Sequence, residues 1–395
     1  VKTPLIVQKF GGTSMGSIER IHTVAQHVID AKARGQQVVV VVSAMSGETN
    51  RLLDLAHQVD RVPNARELDV ILSAGEQVSM ALLAMTLHKM GYSARSFTGS
   101  QLGIVTTNQH NDATILQADT AKIQQLLNDD TIVIVAGFQG VNENGDITTL
   151  GRGGSDTTAV TLAGMLAADE CQIFTDVDGI YSTDPRIVGN AQKLDVIDFP
   201  SMEEMSRKGA KVLHLPCVQY AWQNQVPLRV LSTFEHNEGT LIRGEDSPYD
   251  VCGIAVQKEM IKLSFESHHV DSILKQCHLL GIDVWNVIGD AEFTALLIKQ
   301  DASAKLGLVF EDKIRNSKPV SLLTVVGKKA NDLIDSTYQL LCSANILIDS
   351  GYSDNLSHSL VIAPEQIDSA ANVIHEAYVI SGSFVDHEPK QRFMG

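Results

Sequence analysis

Short runs of Val and Ile alternate with stretches of helical period from the amino terminus to about residue 240, and this alternation limits the fold more than any other feature of the chain. Strand-length runs fall at Leu5 to Val7, Gln37 to Ser43, Ile132 to Phe138, Cys171 to Asp176 and Val226 to Leu231. Helical periodicity occupies Ile18 to Arg34, Asp69 to Met90, Ala118 to Leu127 and Asp156 to Ala168. Strands that are apolar on both faces and separated by helices predict an α/β fold, a mostly parallel sheet covered by helices on both faces. Ligands of such sheets sit beyond the carboxyl ends of the strands, and Lys9, Ser43 and Asp176 all fall at such ends.

Past Gly244-Glu245-Asp246-Ser247-Pro248 the texture changes to a strand-helix-strand-strand-helix unit that occurs twice, with first strands starting near Ile261 and Val320. That spacing is too long for a solenoid repeat and predicts two small α+β modules, each with a four-stranded sheet. The expected divisions are 1–243, 250–318 and 319–379.

Charge and cysteine content narrow the function. A net charge of -16 with scattered Lys and Arg argues against a nucleic-acid partner, which needs a concentrated basic surface. Five cysteines without a C-x-x-C spacing indicate neither a disulfide framework nor a zinc site, so no metal site is assigned to protein ligands. The longest strongly apolar runs, Val38 to Val42 and Ile132 to Phe138, are strand-length, and no signal-peptide core is seen. A cytoplasmic protein without membrane attachment is expected.

Three motifs carry chemistry. Lys9-Phe10-Gly11-Gly12-Thr13-Ser14 puts a cation and two glycines at a strand-to-helix turn. There, backbone N–H groups and the helix amino terminus favour an anion such as phosphate. Gly151-Arg152-Gly153-Gly154-Ser155-Asp156 runs into an Ala/Leu-rich helix. Ser155 or Asp156 can cap that helix, and Arg152 offers a planar fork for a carboxylate. Thr175-Asp176-Val177-Asp178-Gly179-Ile180-Tyr181 makes a loop that reads by itself as a solvated turn and, beside the other motifs, as a nucleotide contact with hydrated Mg2+. Glu76 lies within the apolar helical run Val70 to Leu87, where it is read either as a buried carboxylate that needs a partner or as a residue on the exposed face. Lys211, at the Lys208-Gly209-Ala210-Lys211 turn, is read either as a phosphate contact or as a surface lysine.

Together with Val42-Ser43-Ala44-Met45-Ser46-Gly47-Glu48-Thr49-Asn50 and Ser73-Ala74-Gly75-Glu76, these motifs resemble, in the same order, those of the aspartate kinases of the amino-acid-kinase family. The likeness covers essentially the whole chain. The tandem modules resemble the paired ACT domains of that family, whose second module is inserted into the first so that a final strand, here near 380–390, returns to it.

The resemblance implies transfer of the ATP γ-phosphoryl group to the side-chain carboxylate of L-aspartate, giving 4-phospho-L-aspartate for lysine, threonine and methionine biosynthesis. ATP and Mg2+ are the implied cofactors. Carried over by motif position, Lys9, Gly11, Gly12 and Ser14 would hold the transferring phosphoryl group, and Asp156 would orient Lys9. Glu76 would take the substrate ammonium and Arg152 its α-carboxylate, with Ser43, Thr49 and Ser155 lining the pocket. Thr175, Asp176, Tyr181, Arg186 and Lys211 would surround the nucleotide. A carboxylate acceptor is already ionised at neutral pH, so no nucleophile–base pair is expected.

Two other readings are weighed. A silent amino-acid sensor would have no need of Lys9, Glu76, Arg152 and Asp156 together. The other is a related amino-acid kinase acting on glutamate or N-acetylglutamate, of which the N-acylated substrate would have no ammonium for Glu76. In the regulatory half the chain departs from the resemblance, with Val287-Ile288-Gly289 and Ser353-Asp354-Asn355 where a Thr-Ser-Glu-like element is common. An amino-acid effector, lysine or threonine, is assigned to Ile282, Asp283, Asn286 and Ile288, with an exposed turn acid as the plainer reading of Asp283. Pairing of the modules between two chains would cover exposed strand edges and make a homodimer or a higher homo-oligomer.

Overall fold

The computed structural model describes residues 3–210, 212–289, 292–310 and 313–380. The chain forms two compact units. Of the described residues, one holds 3–180, 193–199 and 212–245; the other holds 181–192, 200–210 and those between 246 and 380.

The first unit is built on an eight-stranded sheet of β1 (Leu5–Phe10), β2 (Gln37–Val42), β3 (Ala94–Phe97), β4 (Ile132–Ala136), β5 (Glu170–Thr175), β6 (Val196–Ile197), β7 (Leu228–Ser232) and β8 (Thr240–Ile242). Their order across the sheet is β6-β8-β7-β5-β1-β2-β4-β3. Neighbours run parallel except β7 and β8. The mostly parallel sheet of the sequence reading is therefore present.

Alternation along a strand sends successive side chains to opposite faces. Val38, Val40 and Val42 join a core with α1 (Ile18–Ala33) and the helix Ala65–Lys89. Val39 and Val41, equally buried, point the other way, where the helix Gly154–Met165 runs against β1, β2 and β5. Each fully buried valine contributes roughly 1.5 to 3 kcal/mol of transfer free energy, which is why a run of five holds the centre of the sheet.

Local signals set the helix boundaries. The Ser17 hydroxyl accepts the Arg20 N–H at the start of α1. Gly47, in a left-handed conformation, opens α2 (Glu48–Val59), and the Asn64 side chain caps α3 (Ala65–Lys89). Two further helices of this unit are α4 (Thr120–Asn128) and α5 (Gly154–Met165). By length and composition α3 is apolar enough to cross a bilayer, an exception to the expectation that apolar runs here are only strand-length. Its Leu72, Met80, Leu83 and Leu87 are buried in the fold, as in a core helix.

A separate four-stranded sheet, Ile115–Gln117, Val105–Thr106, Gln139–Val141 and Ile147–Thr149, was not anticipated. Strands of two or three residues carry no readable period.

In the second unit the expectation of two four-stranded sheets is corrected. β9 (Gly253–Glu266), β10 (Val284–Gly289), β11 (Phe293–Lys299), β12 (Asn316–Val326), β13 (Ile348–Asp354) and β14 (Ser357–Ile362) form one six-stranded antiparallel sheet, in the order β10-β11-β9-β12-β14-β13. β9 and β12, the first strands of the two repeats, pair from Gly253↔Val326 to Ser264↔Asn316. Each covers an edge of the other, so the repeats merge. Their helices keep two cores, one around Ile273, Cys277 and Leu306, the other around Leu341, Ile367 and Ile374. Beyond Ile380, the returning strand expected near 380–390 lies outside the described residues.

Candidate active site

β5, β1 and β2 are neighbours, and their carboxyl ends bring three of the sequence motifs side by side. Lys9, one residue from the end of β1, pairs in register with Ile173 and Val41. The chain then turns tightly: the Gly11 N–H donates to the Phe174 carbonyl at 3.3 Å and the Ser43 N–H to the Phe10 carbonyl at 3.0 Å. A Cβ on Gly12 would lie 3.3 Å from the Ala44 carbonyl oxygen, so the second glycine is set by close backbone approach.

Lys9 Nζ makes an ion pair with Asp156 Oδ1 at 2.6 Å, both side chains being mostly buried. Asp156 sits in the first turn of α5, where the unpaired N–H groups of a helix favour a carboxylate. The pair thereby holds a flexible cation at the mouth of the Gly11-Gly12 turn. Ser14 lies deeper, fully buried, with its hydroxyl 2.7 Å from that of Thr233.

Arg152 stands between Gly151 and Gly153, at φ +74° and +67°, a region that favours glycine. It is exposed, and no hydrogen bond or ion pair joins it to another described residue. A Cβ on Gly153 would also come within 2.4 Å of the His214 ring. Gly153→Ala is therefore expected to destabilise the protein by more than about 1 kcal/mol, through left-handed strain plus overlap. Thermal melting checks it, and an unchanged Tm contradicts this loop geometry.

Glu76 is buried, 3% exposed, on α3. Its Oε1 accepts the Ala44 N–H at 3.2 Å, and Oε2 has no hydrogen-bond partner. Burial pushes this carboxyl up to about 7. Gly75 allows the approach of α3, since a Cβ there would lie 2.8 Å from the Ala44 Cβ. Ser43 and Thr49 are half-buried on either side of that turn, and Ser155 is buried in the first turn of α5. Among the described residues, the site thus offers a buried acid lacking a cation, an exposed guanidinium lacking an anion, and a lysine clamped beside a glycine turn.

The remaining assignments are less concentrated. Thr175 ends β5 and donates its hydroxyl to the exposed Asp176. Tyr181 and Arg186 belong to the second unit, where Arg186 forms a two-pronged pair with Asp184. Lys211 lies outside the described residues. Of the effector residues, Ile282 is packed in the core with Ile261 and Leu296, and Ile288 packs with Met260 and Leu297. Asp283 is exposed, and the Asn286 side chain accepts the Val287 N–H. Sequence reasoning missed Thr233 and the buried Asp69, which lies on α3 two turns before Glu76. The spacing of seven puts a second acid on nearly the same helix face as Glu76, but nothing in the sequence names its partners.

Residues 4–232 match the amino acid kinase family, and the chain is an ATP-dependent kinase of this class. The chain is similar to an aspartate kinase of Stutzerimonas stutzeri, 43% identical over 95% of this chain and 97% of the relative. An aspartokinase of Pseudomonas aeruginosa is 42% identical over the same shares. Among solved structures, an aspartate kinase from Synechocystis is 31% identical, covering 95% of this chain and 69% of its own, with a TM-score of 0.57. Aspartokinase III of E. coli, solved with aspartate and ADP, shares the fold at 23% identity, 94% and 99% coverage and a TM-score of 0.77. The chain belongs to the aspartate kinases within the amino acid kinase family.

Proposed function

We propose that the chain transfers the γ-phosphoryl group of ATP to the side-chain carboxylate of L-aspartate, giving 4-phospho-L-aspartate at the head of lysine, threonine and methionine biosynthesis. The observation that carries this reading is the trio of Lys9 ion-paired to Asp156, the buried Glu76 and the unpartnered Arg152 in one unit. Glu76 takes the substrate ammonium, Arg152 its α-carboxylate, and Ser43, Thr49 and Ser155 line the pocket. The side-chain carboxylate is then left to meet the phosphate over Lys9, Gly11 and Gly12. Phosphoryl transfer between two anions needs positioning and positive charge more than proton transfer, and this is what these residues supply.

Thr175 and Asp176, at the end of β5, contact the nucleotide in this reading. Mg2+ suits a donor set of few carboxylates, since it keeps several waters and binds largely through the phosphates, with exposed Asp176 as the protein oxygen donor. When bound it neutralises phosphate charge.

The E. coli neighbour has also been solved with lysine and aspartate. Lysine is accordingly the first effector to test, then threonine. The segments 250–318 and 319–379 act as a regulatory region that pairs between chains, and the protein works in the cytoplasm. Incubation with MgATP and hydroxylamine, which traps acyl phosphates, should give product with aspartate and little with glutamate or N-acetylglutamate. Equal trapping with N-acetylglutamate contradicts the role of Glu76. Arg152→Ala should raise the aspartate KM by about tenfold or more and leave the ATP KM nearly unchanged, the loss of a charge-assisted pair worth roughly 1.5 to 3 kcal/mol. A collapse of ATP affinity instead would reverse the assignment.

A further inference from the structure

We propose that Asp69 and His110 are positioning residues that fix where Arg152 stands relative to Glu76, and so set which amino acid fits between them. The inference rests on the reading of Arg152 as the grip on the substrate α-carboxylate.

Arg152 has no partner among the described residues and is flanked by two left-handed glycines, so its place is set by what holds the loop. The holding point is Asp69, a fully buried carboxylate on α3. Its Oδ2 accepts from His110 Nδ1 at 2.6 Å, and its Oδ1 accepts from the Thr149 hydroxyl at 2.5 Å. The Asn111 N–H donates to both oxygens, at 3.1 and 3.2 Å. Asn111 itself is left-handed, at φ +63°. A strained residue persists only where surrounding contacts over-determine it.

The clamped loop then reaches the arginine. The Ala113 N–H donates to the Thr149 carbonyl at 2.9 Å. A Cβ on Gly151 would meet Asp112 Oδ1 at 3.0 Å and the Asn111 carbonyl oxygen at 3.2 Å, so the backbone just before Arg152 lies directly on this loop.

Asp69 and Glu76 are seven residues apart on α3, on nearly one face and about 10 Å along its axis. One rigid helix therefore carries both the acid that takes the ammonium and the acid that anchors the loop of the carboxylate grip. Burying a carboxylate is costly unless its lone pairs are satisfied. Here four donor contacts satisfy it, and their directionality fixes the loop in a way apolar packing would not.

The test is a cycle of substitutions in the full chain, with kcat and both KM values measured alongside thermal melting. Asp69→Asn is expected to raise the aspartate KM about tenfold while kcat and the ATP KM stay within about twofold. In an Arg152→Ala background the same change should add less than about twofold, because the group it positions is gone. His110→Ala, which removes one donor and leaves the carboxylate, serves where Asp69→Asn lowers folding yield and should raise the aspartate KM about threefold. A folded Asp69→Asn protein with an unchanged aspartate KM overturns the proposal. So does an effect of equal size with and without Arg152, the mark of a merely structural residue. If Arg152→Ala itself leaves the aspartate KM unchanged, the reading of the site fails first, and a separate readout shows which has failed.

Discussion

Lys9→Ala should lower kcat by about two or more orders of magnitude, with the protein still folded. The side chain is held by Asp156 at 2.6 Å, and Gly11 and Gly12 leave room for an anion beside it. Its charge is therefore in place before any phosphate arrives, so no reorganisation is needed as charge develops on the transferring group. Asp156→Asn should give a smaller loss, since the lysine remains but is less firmly aimed. Removing Lys9 also leaves Asp156 as a mostly buried carboxylate without its cation, a cost that a Lys9→Met variant shares. Comparing the two separates lost packing from lost charge. Turnover near that of the parent protein in folded Lys9→Ala would place the phosphoryl group elsewhere.

Glu76→Gln should do two opposite things. With Glu76 proposed as the partner of the substrate ammonium, its loss should raise the aspartate KM by one to two orders of magnitude, on the order of 1.5 to 3 kcal/mol. It should also stabilise the free protein at alkaline pH. Burial raises this carboxyl from 4.5 to about 7, so the folded state holds a proton that the unfolded chain has lost. With the folded value above the unfolded one, the favourable contribution is complete below 4.5 and is lost as pH rises through about 7. Above that the buried charge costs the parent protein up to about 3 kcal/mol, which a neutral glutamine avoids. The variant should therefore melt several degrees higher than the parent at pH 8 and nearly the same at pH 4.5. Saturating aspartate should narrow the gap at pH 8 by supplying the missing cation. The parent's kcat/KM for aspartate should rise as pH passes through about 7, and this rise should be absent in Glu76→Gln. A variant less stable than the parent at pH 8 would mean that Glu76 already has a counter-charge in the free protein.

Much of this site was legible in the sequence because its chemistry sits in short contiguous motifs at strand ends. Alternating runs placed Lys9, Ser43 and Asp176 at carboxyl ends, and the register of β5, β1 and β2 makes those ends neighbours. Burial of Glu76 was not decidable from periodicity, since an amphipathic helix can carry a glutamate on either face; α3 buries it because Gly75 brings the helix onto Ala44. Asp69 was unreadable as an anchor because its partners His110 and Thr149 lie 41 and 80 residues away and meet only in three dimensions. The merging of the two regulatory repeats into one sheet was equally hidden. Pattern gives the strands of each repeat, while the pairing of β9 with β12 depends on which edges find each other.

In the proposed orientation Glu76 and Arg152 hold the backbone ends of aspartate, so that only its side-chain carboxylate reaches the phosphate beside Lys9. Borohydride reduction of the freshly formed acyl phosphate reads this directly, because it turns the phosphorylated carboxyl into an alcohol and leaves the other untouched. Phosphorylation of the side chain gives homoserine, which is the product this account predicts. Phosphorylation at the α-carboxylate gives 3-amino-4-hydroxybutanoate, and that product would contradict it.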